Sequence, residues 1–129
     1  MKILIADDNS KVRSALRLRL EQESTLAGVR VLEVSDTESL IKQLIEDCPM
    51  IVLLDWELPG QNGAEYLMML RSYCPGMRVI AMSSKFEARQ EAFDAGVDAF
   101  VSKAEPPEKI LTTLSCLLPQ VEDQNLHPD

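Results

Sequence analysis

Three carboxylates, a hydroxyl and an ammonium in this 129-residue chain are the types of group that phosphoryl chemistry needs. They are the pair Asp7-Asp8, the single Asp55, the pair Ser83-Ser84, and Lys103 behind Ser102. Each follows directly on a short apolar run. A lone acid after such a run is commonly a helix cap, and Asp8 or Asn9 could serve in that way. Capping does not explain why four separate runs finish in groups so complementary. Three carboxylates drawn into one pocket repel one another and take up protons unless a cation is present. A hard divalent ion, magnesium or manganese in its place, prefers oxygen ligands and would relieve that repulsion. It would also neutralise the oxygens of a phosphoryl group in transfer. An aspartate can accept such a group covalently. A lysine ammonium suits phosphate as a point charge, and a serine hydroxyl can donate to a phosphoryl oxygen.

Bringing these groups to one edge requires a particular fold. Five runs rich in β-branched residues predict strands at 3–6, 29–34, 51–54, 79–82 and 97–101. The first, third and fourth are apolar with almost no alternation, as in parallel strands covered on both faces. The second carries Arg30 and Glu33 and reads as an edge. Helix-period segments fall between the runs. Val12, Ala15, Leu16 and Leu20 share one face of the first, with Arg13, Arg17 and Glu21 opposite. Leu18 stands off that face, as a partner contact or as one of the single exposed leucines that surfaces carry. Ser35, Asp36 or Thr37 can cap a second helix whose apolar positions are Leu40, Ile41, Leu44 and Ile45. A third spans 64–73, with Leu67, Met68 and Leu70. A fourth spans 85–95 and stops at Gly96. A fifth starts at Pro106-Pro107 and buries Ile110, Leu111, Leu114 and Leu117. This order, β-α five times, predicts an α/β fold: a doubly wound, five-stranded parallel sheet with helices on both faces. Ligands of such sheets bind beyond the carboxyl ends of the strands.

Composition sets the outer bounds. The length suits one domain, read as residues 1–118, with 119–129 a polar C-terminal tail or linker stub. A hydrophobic content of 46% is ordinary for a globular protein. The net charge of -8 argues against direct nucleic-acid binding by this segment. No apolar run is long enough to span a membrane, and Asp7-Asp8 interrupt any signal-peptide core. Cys48, Cys74 and Cys116 are odd in number and form no CxxC, which reads as three reduced thiols in a cytoplasmic protein.

Four stretches then carry a resemblance: Ile3-Leu4-Ile5-Ala6-Asp7-Asp8, Leu53-Leu54-Asp55-Trp56-Glu57-Leu58-Pro59-Gly60 with Gly63, Ala81-Met82-Ser83, and Ala95-Gly96-Val97-Asp98-Ala99-Phe100-Val101-Ser102-Lys103. In this order and spacing the chain, to about Leu118, resembles the receiver domains of bacterial response regulators. The resemblance implies a flavodoxin-like topology with strand order 2-1-3-4-5. It implies that Asp55 is the phosphoacceptor of a two-component phosphorelay. Asp7, Asp8, Asp55 and the backbone carbonyl of Glu57 would hold magnesium, Asp7 through water. Lys103 would contact the phosphoryl group. Ser83 would be the hydroxyl switch and Phe100 the aromatic switch, although an aromatic at that position is also ordinary core. Phosphorylation would reshape the face formed by the fourth helix, fifth strand and fifth helix. The implied partners are a histidine kinase or histidine phosphotransfer protein, an output domain or downstream protein, and a second copy in a homodimer.

Some features depart from the family pattern or leave alternatives. Many receivers have proline after the lysine; here Ala104 follows, so the bond is expected to be trans. Glu57 and Lys85 lie two residues beyond Asp55 and Ser83, where the family tunes dephosphorylation. They would pair across the pocket mouth or stay solvated. The Ser-Lys-Ala-Glu-Pro-Pro-Glu-Lys stretch is similar to receivers that carry a helix-turn-helix output domain, so the chain is either a single-domain regulator or a receiver from a longer one. Two rival classes remain. Haloacid-dehalogenase-like phosphatases also form aspartyl phosphates, but with an acid pattern after the first strand that Asp55 and Glu57 do not match. A degenerate receiver acting only as a binding module would not bind magnesium.

Overall fold

The computed structural model describes residues 1–118. Within them the elements run β1 (Lys2–Ala6), α1 (Ser10–Gln22), a 3-10 turn (Ser24–Leu26), β2 (Arg30–Val34), α2 (Thr37–Glu46), β3 (Ile51–Asp55), α3 (Gly63–Tyr73), β4 (Arg78–Ser83), α4 (Ala88–Ala95), β5 (Ala99–Ser102) and α5 (Glu108–Leu117). All strand pairs are parallel and the order is β2-β1-β3-β4-β5. This is the expected doubly wound sheet. The expected tail at 119–129 lies outside the described residues.

The continuous apolar runs have a direct cause. Ile3, Ile5, Ile51 and Leu53 face a core shared with Leu16 and Leu20 of α1 and Ile110 and Leu114 of α5. Leu4, Ala6, Val52 and Leu54 face a second core shared with Leu40 and Leu44 of α2, Tyr66, Leu67 and Leu70 of α3, and Ala88 and Ala92 of α4. Both faces of β1 and β3 are therefore buried, and each such leucine or isoleucine contributes about 1.5–3 kcal/mol relative to exposure.

Local signals set the helix ends. Asn9 caps α1, accepting from the amides of Lys11 and Val12, and Asp36 caps α2 through Ser39. Gly96 closes α4 with φ 106°, a left-handed conformation that favours glycine. That turn sends the amide of Asp98 to the carbonyl of Val79, so β5 begins at Ala99 rather than at Val97. The fourth helix starts at Ala88, later than predicted, because the preceding residues form a turn closed by Ala88 N to Lys85 O. No cis peptide bond occurs among the described residues, so Lys103-Ala104 is trans.

Two of the apolar helix positions prove exposed, and the reading of the cysteines is corrected. Ile45 and Met68 are 68% and 75% exposed; each follows a buried leucine by one residue, and the next helical position lies about 100° away. Cys48 and Cys74 are joined in a disulfide rather than reduced. The turn after α2 and the end of α3 meet at the amino edge of the sheet, with Cα atoms 5.8 Å apart, a normal separation for a bridge. Cys116 is free and exposed.

Candidate functional site

The carboxyl edge of the sheet gathers the polar strand ends. Asp7 and Asp8 follow β1, Asp55 is the last residue of β3, Ser83 ends β4, and Lys103 follows β5. Parallel register fixes their neighbourhood: Ala6 pairs with Leu54, Asp55 with Met82, and Ser83 with Ser102. Backbone bonds continue past the strand ends, from Asp7 N to Val34 O, Trp56 N to Met82 O, and Lys103 N to Ser83 O.

Asp7, Asp55 and Ser83 are buried and Asp8 is exposed. One carboxylate oxygen from each of Asp7, Asp8 and Asp55 lies within 4.8 Å of the other two. Lys103 Nζ stands 2.7 Å from Asp7 Oδ2 and 3.1 Å from Asp55 Oδ1. The Glu57 amide donates to Asp55 Oδ1 at 3.0 Å, and the Asn9 amide donates to Asp7 Oδ1 at 2.9 Å. Asp7 Oδ2 is buried and receives no well-aligned hydrogen bond, despite the nearby ammonium. A buried carboxylate oxygen with spare lone pairs, facing two more carboxylates, fits a hard cation with oxygen preference. The cluster could hold a metal ion.

The electrostatics follow from this crowding. Burial pushes the Asp55 carboxyl above its ordinary pKa. The charge of Asp7 adds to the rise, while the Glu57 amide and Lys103 oppose it. Burial alone would depress Lys103, but its ion pairs with Asp7 and Asp55 outweigh that, and its pKa is raised. Lys103 is therefore a fixed positive charge at neutral pH.

Neighbouring residues hold the frame. Arg13 donates to the Asp7 carbonyl at 2.7 Å and pairs with Glu33 at 3.0 Å, while Arg17 reaches the other Glu33 oxygen at 2.8 Å. The loop after β1 is thus tied to α1 and β2. The Trp56 indole donates to Glu91 of α4. Its ring lies over Gly63, where a Cβ would stand 2.2 Å from the nearest ring carbon. The Tyr66 hydroxyl bonds to the Pro59 carbonyl and to Thr37. No spacing rule points to Arg13, Glu33 or Glu91, because their partners come from different elements.

Two further expectations meet the geometry. Glu57 does not pair with Lys85. Its carboxylate accepts from the Ser83 hydroxyl, at 2.9 Å to Oε1 and 2.8 Å to Oε2. The turn after Asp55 aims the side chain back over the end of β4, and Lys85 engages Ser83 only through its backbone amide, at 3.0 Å. Phe100 is partly buried against the α3 and α4 core. The Arg89 guanidinium lies 6.0 Å from its ring centre and 5.1 Å from that of Phe93.

The arrangement can seat an anionic group on Asp55 between a cation site and an ammonium. Comparison with known proteins bears on the family of the chain. The family model described as the response regulator receiver domain matches residues 3–115. The transcriptional activator protein ExaE of Pseudomonas putida is 34% identical over 120 residues, covering 92% of this chain and 55% of its own length. The phosphate regulon transcriptional regulatory protein PhoB of Escherichia coli (strain K12) is 26% identical, covering 93% of this chain and 52% of its own. The chain thus spans about half the length of these curated relatives. Among solved structures, the N-terminal signal receiver domain of a two-component response regulator from Bacteroides fragilis superposes with a TM-score of 0.80. It is 26% identical and covers 93% of this chain and 98% of its own.

Proposed function

The chain belongs to the response regulator receiver domain family, and on that footing we propose that it is a magnesium-dependent switch that accepts a phosphoryl group on Asp55. The observation that carries this reading is the cluster of Asp7, Asp8 and Asp55 with Lys103 against two of its members. Asp55 would be the acceptor, with Lys103 and the Glu57 amide both bonded to its Oδ1. Asp7, Asp8, Asp55 and the Glu57 backbone carbonyl would hold magnesium, or manganese in its place. When bound, that ion would neutralise charge on the transferring phosphoryl oxygens.

In this reading a histidine kinase or histidine phosphotransfer protein presents phosphohistidine. An Asp55 oxygen attacks the phosphorus, the phosphorus–nitrogen bond breaks, and the imidazole leaves with the bonding pair. Lys103 stays protonated and pairs with a phosphoryl oxygen. The product adds about -1.5 to -2 charges and three acceptor oxygens, which Ser83 can meet by donating its hydroxyl. Phe100 would then repack, changing the face of α4, β5 and α5. The chain works as a self-phosphorylating and autodephosphorylating switch, not as a turnover enzyme. The position of Asp55 at the third strand favours this over a dehalogenase-like phosphatase.

No described helix is long and apolar enough to cross a membrane. The reading carries a cytoplasmic location. The length of the relatives and their names support a transcriptional output, through a further domain or a separate partner. The reading adds a homodimer formed on the α4, β5 and α5 face. Incubation with acetyl phosphate and magnesium tests the core of the reading. Intact mass should show one added phosphoryl group. It should be absent with chelator and absent in Asp55→Asn. A label that persists in that variant would refute it.

A further inference from the structure

Ser83 has one hydroxyl proton, and in this structure it is directed at Glu57. The same oxygen accepts the Lys85 amide at 3.0 Å. Ser83 is only 1% exposed, so water has little access to replace either bond. A hydroxyl donates once. It cannot serve the Glu57 carboxylate and a phosphoryl oxygen on Asp55 together. The turn that presents Glu57 is itself anchored to the acceptor, since the Glu57 amide donates to Asp55 Oδ1 at 3.0 Å.

We propose that the Glu57 carboxylate is an internal competitor for Ser83, a positioning residue that holds the hydroxyl away from Asp55 until a phosphoryl group displaces it. The proposal rests on Asp55 being the acceptor. A hydroxyl bonded to a carboxylate makes a charge-assisted contact, stronger than one between neutral groups. Breaking it offsets part of what the new phosphoryl contact supplies. Occupancy of Asp55 by a phosphoryl group is therefore weaker than in the same chain without the carboxylate. Lys85 and Glu57 act here through one oxygen, the amide of the first and the carboxylate of the second orienting the Ser83 hydroxyl from two sides.

Simple repulsion between Glu57 and the phosphoryl charge would also weaken occupancy, but it would not need Ser83. That difference sets the experiment. Beryllofluoride, a phosphoryl mimic, is titrated calorimetrically with magnesium into the unaltered chain, Glu57→Ala, Ser83→Ala and the double variant. Removing the carboxylate should tighten binding about tenfold when Ser83 is present, the worth of one charge-assisted hydrogen bond. It should change binding less than about twofold in the Ser83→Ala background. Equal tightening in both backgrounds, or none in either, would overturn the competitor role alone. Glu57→Gln keeps an acceptor oxygen without the charge and should gain less than Glu57→Ala. An equal gain would count against the proposal even if the double variant failed to fold. Absence of binding by all four chains would overturn the assignment of Asp55, and this proposal with it.

Discussion

Lys103 Nζ lies 2.7 Å from Asp7 Oδ2, joining the loop after the last strand to the end of the first. Asp7 is fully buried and Lys103 largely so. Removing one partner of such a pair leaves uncompensated charge, which costs about 3–5 kcal/mol. Lys103→Met should therefore lower metal-free stability by about 3 kcal/mol, read from urea midpoints at neutral pH. Magnesium should restore part of it. An unchanged midpoint would show that the ammonium does not offset the acids. The contribution of Lys103 has a defined pH range. Its folded pKa is raised, so its stabilisation is complete below the ordinary lysine value and is lost as pH rises through the folded one.

Asp55 titrates in the opposite sense from most paired acids. Its folded pKa is raised, first by burial and then by Asp7. A raised carboxyl contributes stability that is present below the ordinary carboxylate pKa and lost as pH climbs through the folded value. At neutral pH and without metal, ionised Asp55 is thus a penalty. Asp55→Asn should raise Tm by about 4 °C at pH 7, the equivalent of about 1 kcal/mol for a domain this size. The gain should vanish as pH falls through the carboxylate range. Thermal scans across pH check both the sign and the closure.

Divalent cation should stabilise the chain by mass action. At a hundredfold excess over Kd the gain is about 2.7 kcal/mol. Asp8 is exposed and contributes no core packing, so Asp8→Asn should abolish most of this gain while leaving metal-free stability within about 0.5 kcal/mol. Paired unfolding curves with magnesium and with chelator measure it. A gain that survives in the variant would remove Asp8 from the site.

The Cys48–Cys74 bridge closes a loop of 26 residues that contains β3, Asp55 and α3. By chain entropy such a loop is worth about 3 kcal/mol. Cys48→Ser should lower stability by that amount in non-reducing buffer and change little under excess thiol. Thiol labelling before and after reduction counts the bridge. Three reactive thiols without reductant would show that it does not form.

What the residues reveal in advance depends on how local the cause is. β1 and β3 are legible because both faces are buried, so positions 3–6 and 51–54 are apolar without a break. Gly96 and Asn9 are legible because caps act over one turn. The strand-end groups Asp7, Asp8, Asp55 and Lys103 can be grouped in advance because parallel connectivity sends every carboxyl end to the same edge. Ile45 misleads because an apolar residue on a short helix need not face the sheet. The pairing of Cys48 with Cys74 depends on two turns meeting in space. The partner of Glu57 depends on which way a turn aims one side chain, and residue type predicts charge attraction to Lys85 rather than the bond to Ser83. Arg13, Glu33 and Glu91 escape for the same reason: their contacts cross between elements.

The assignment of Asp55 is tested most directly by chemical mapping. After exposure to magnesium and acetyl phosphate, borohydride reduces an acyl phosphate to the alcohol, converting a phosphorylated aspartate to homoserine. Peptide sequencing by mass should find homoserine at position 55, with Asp7 and Asp8 intact. Homoserine at either of those positions, or at none, would contradict the account.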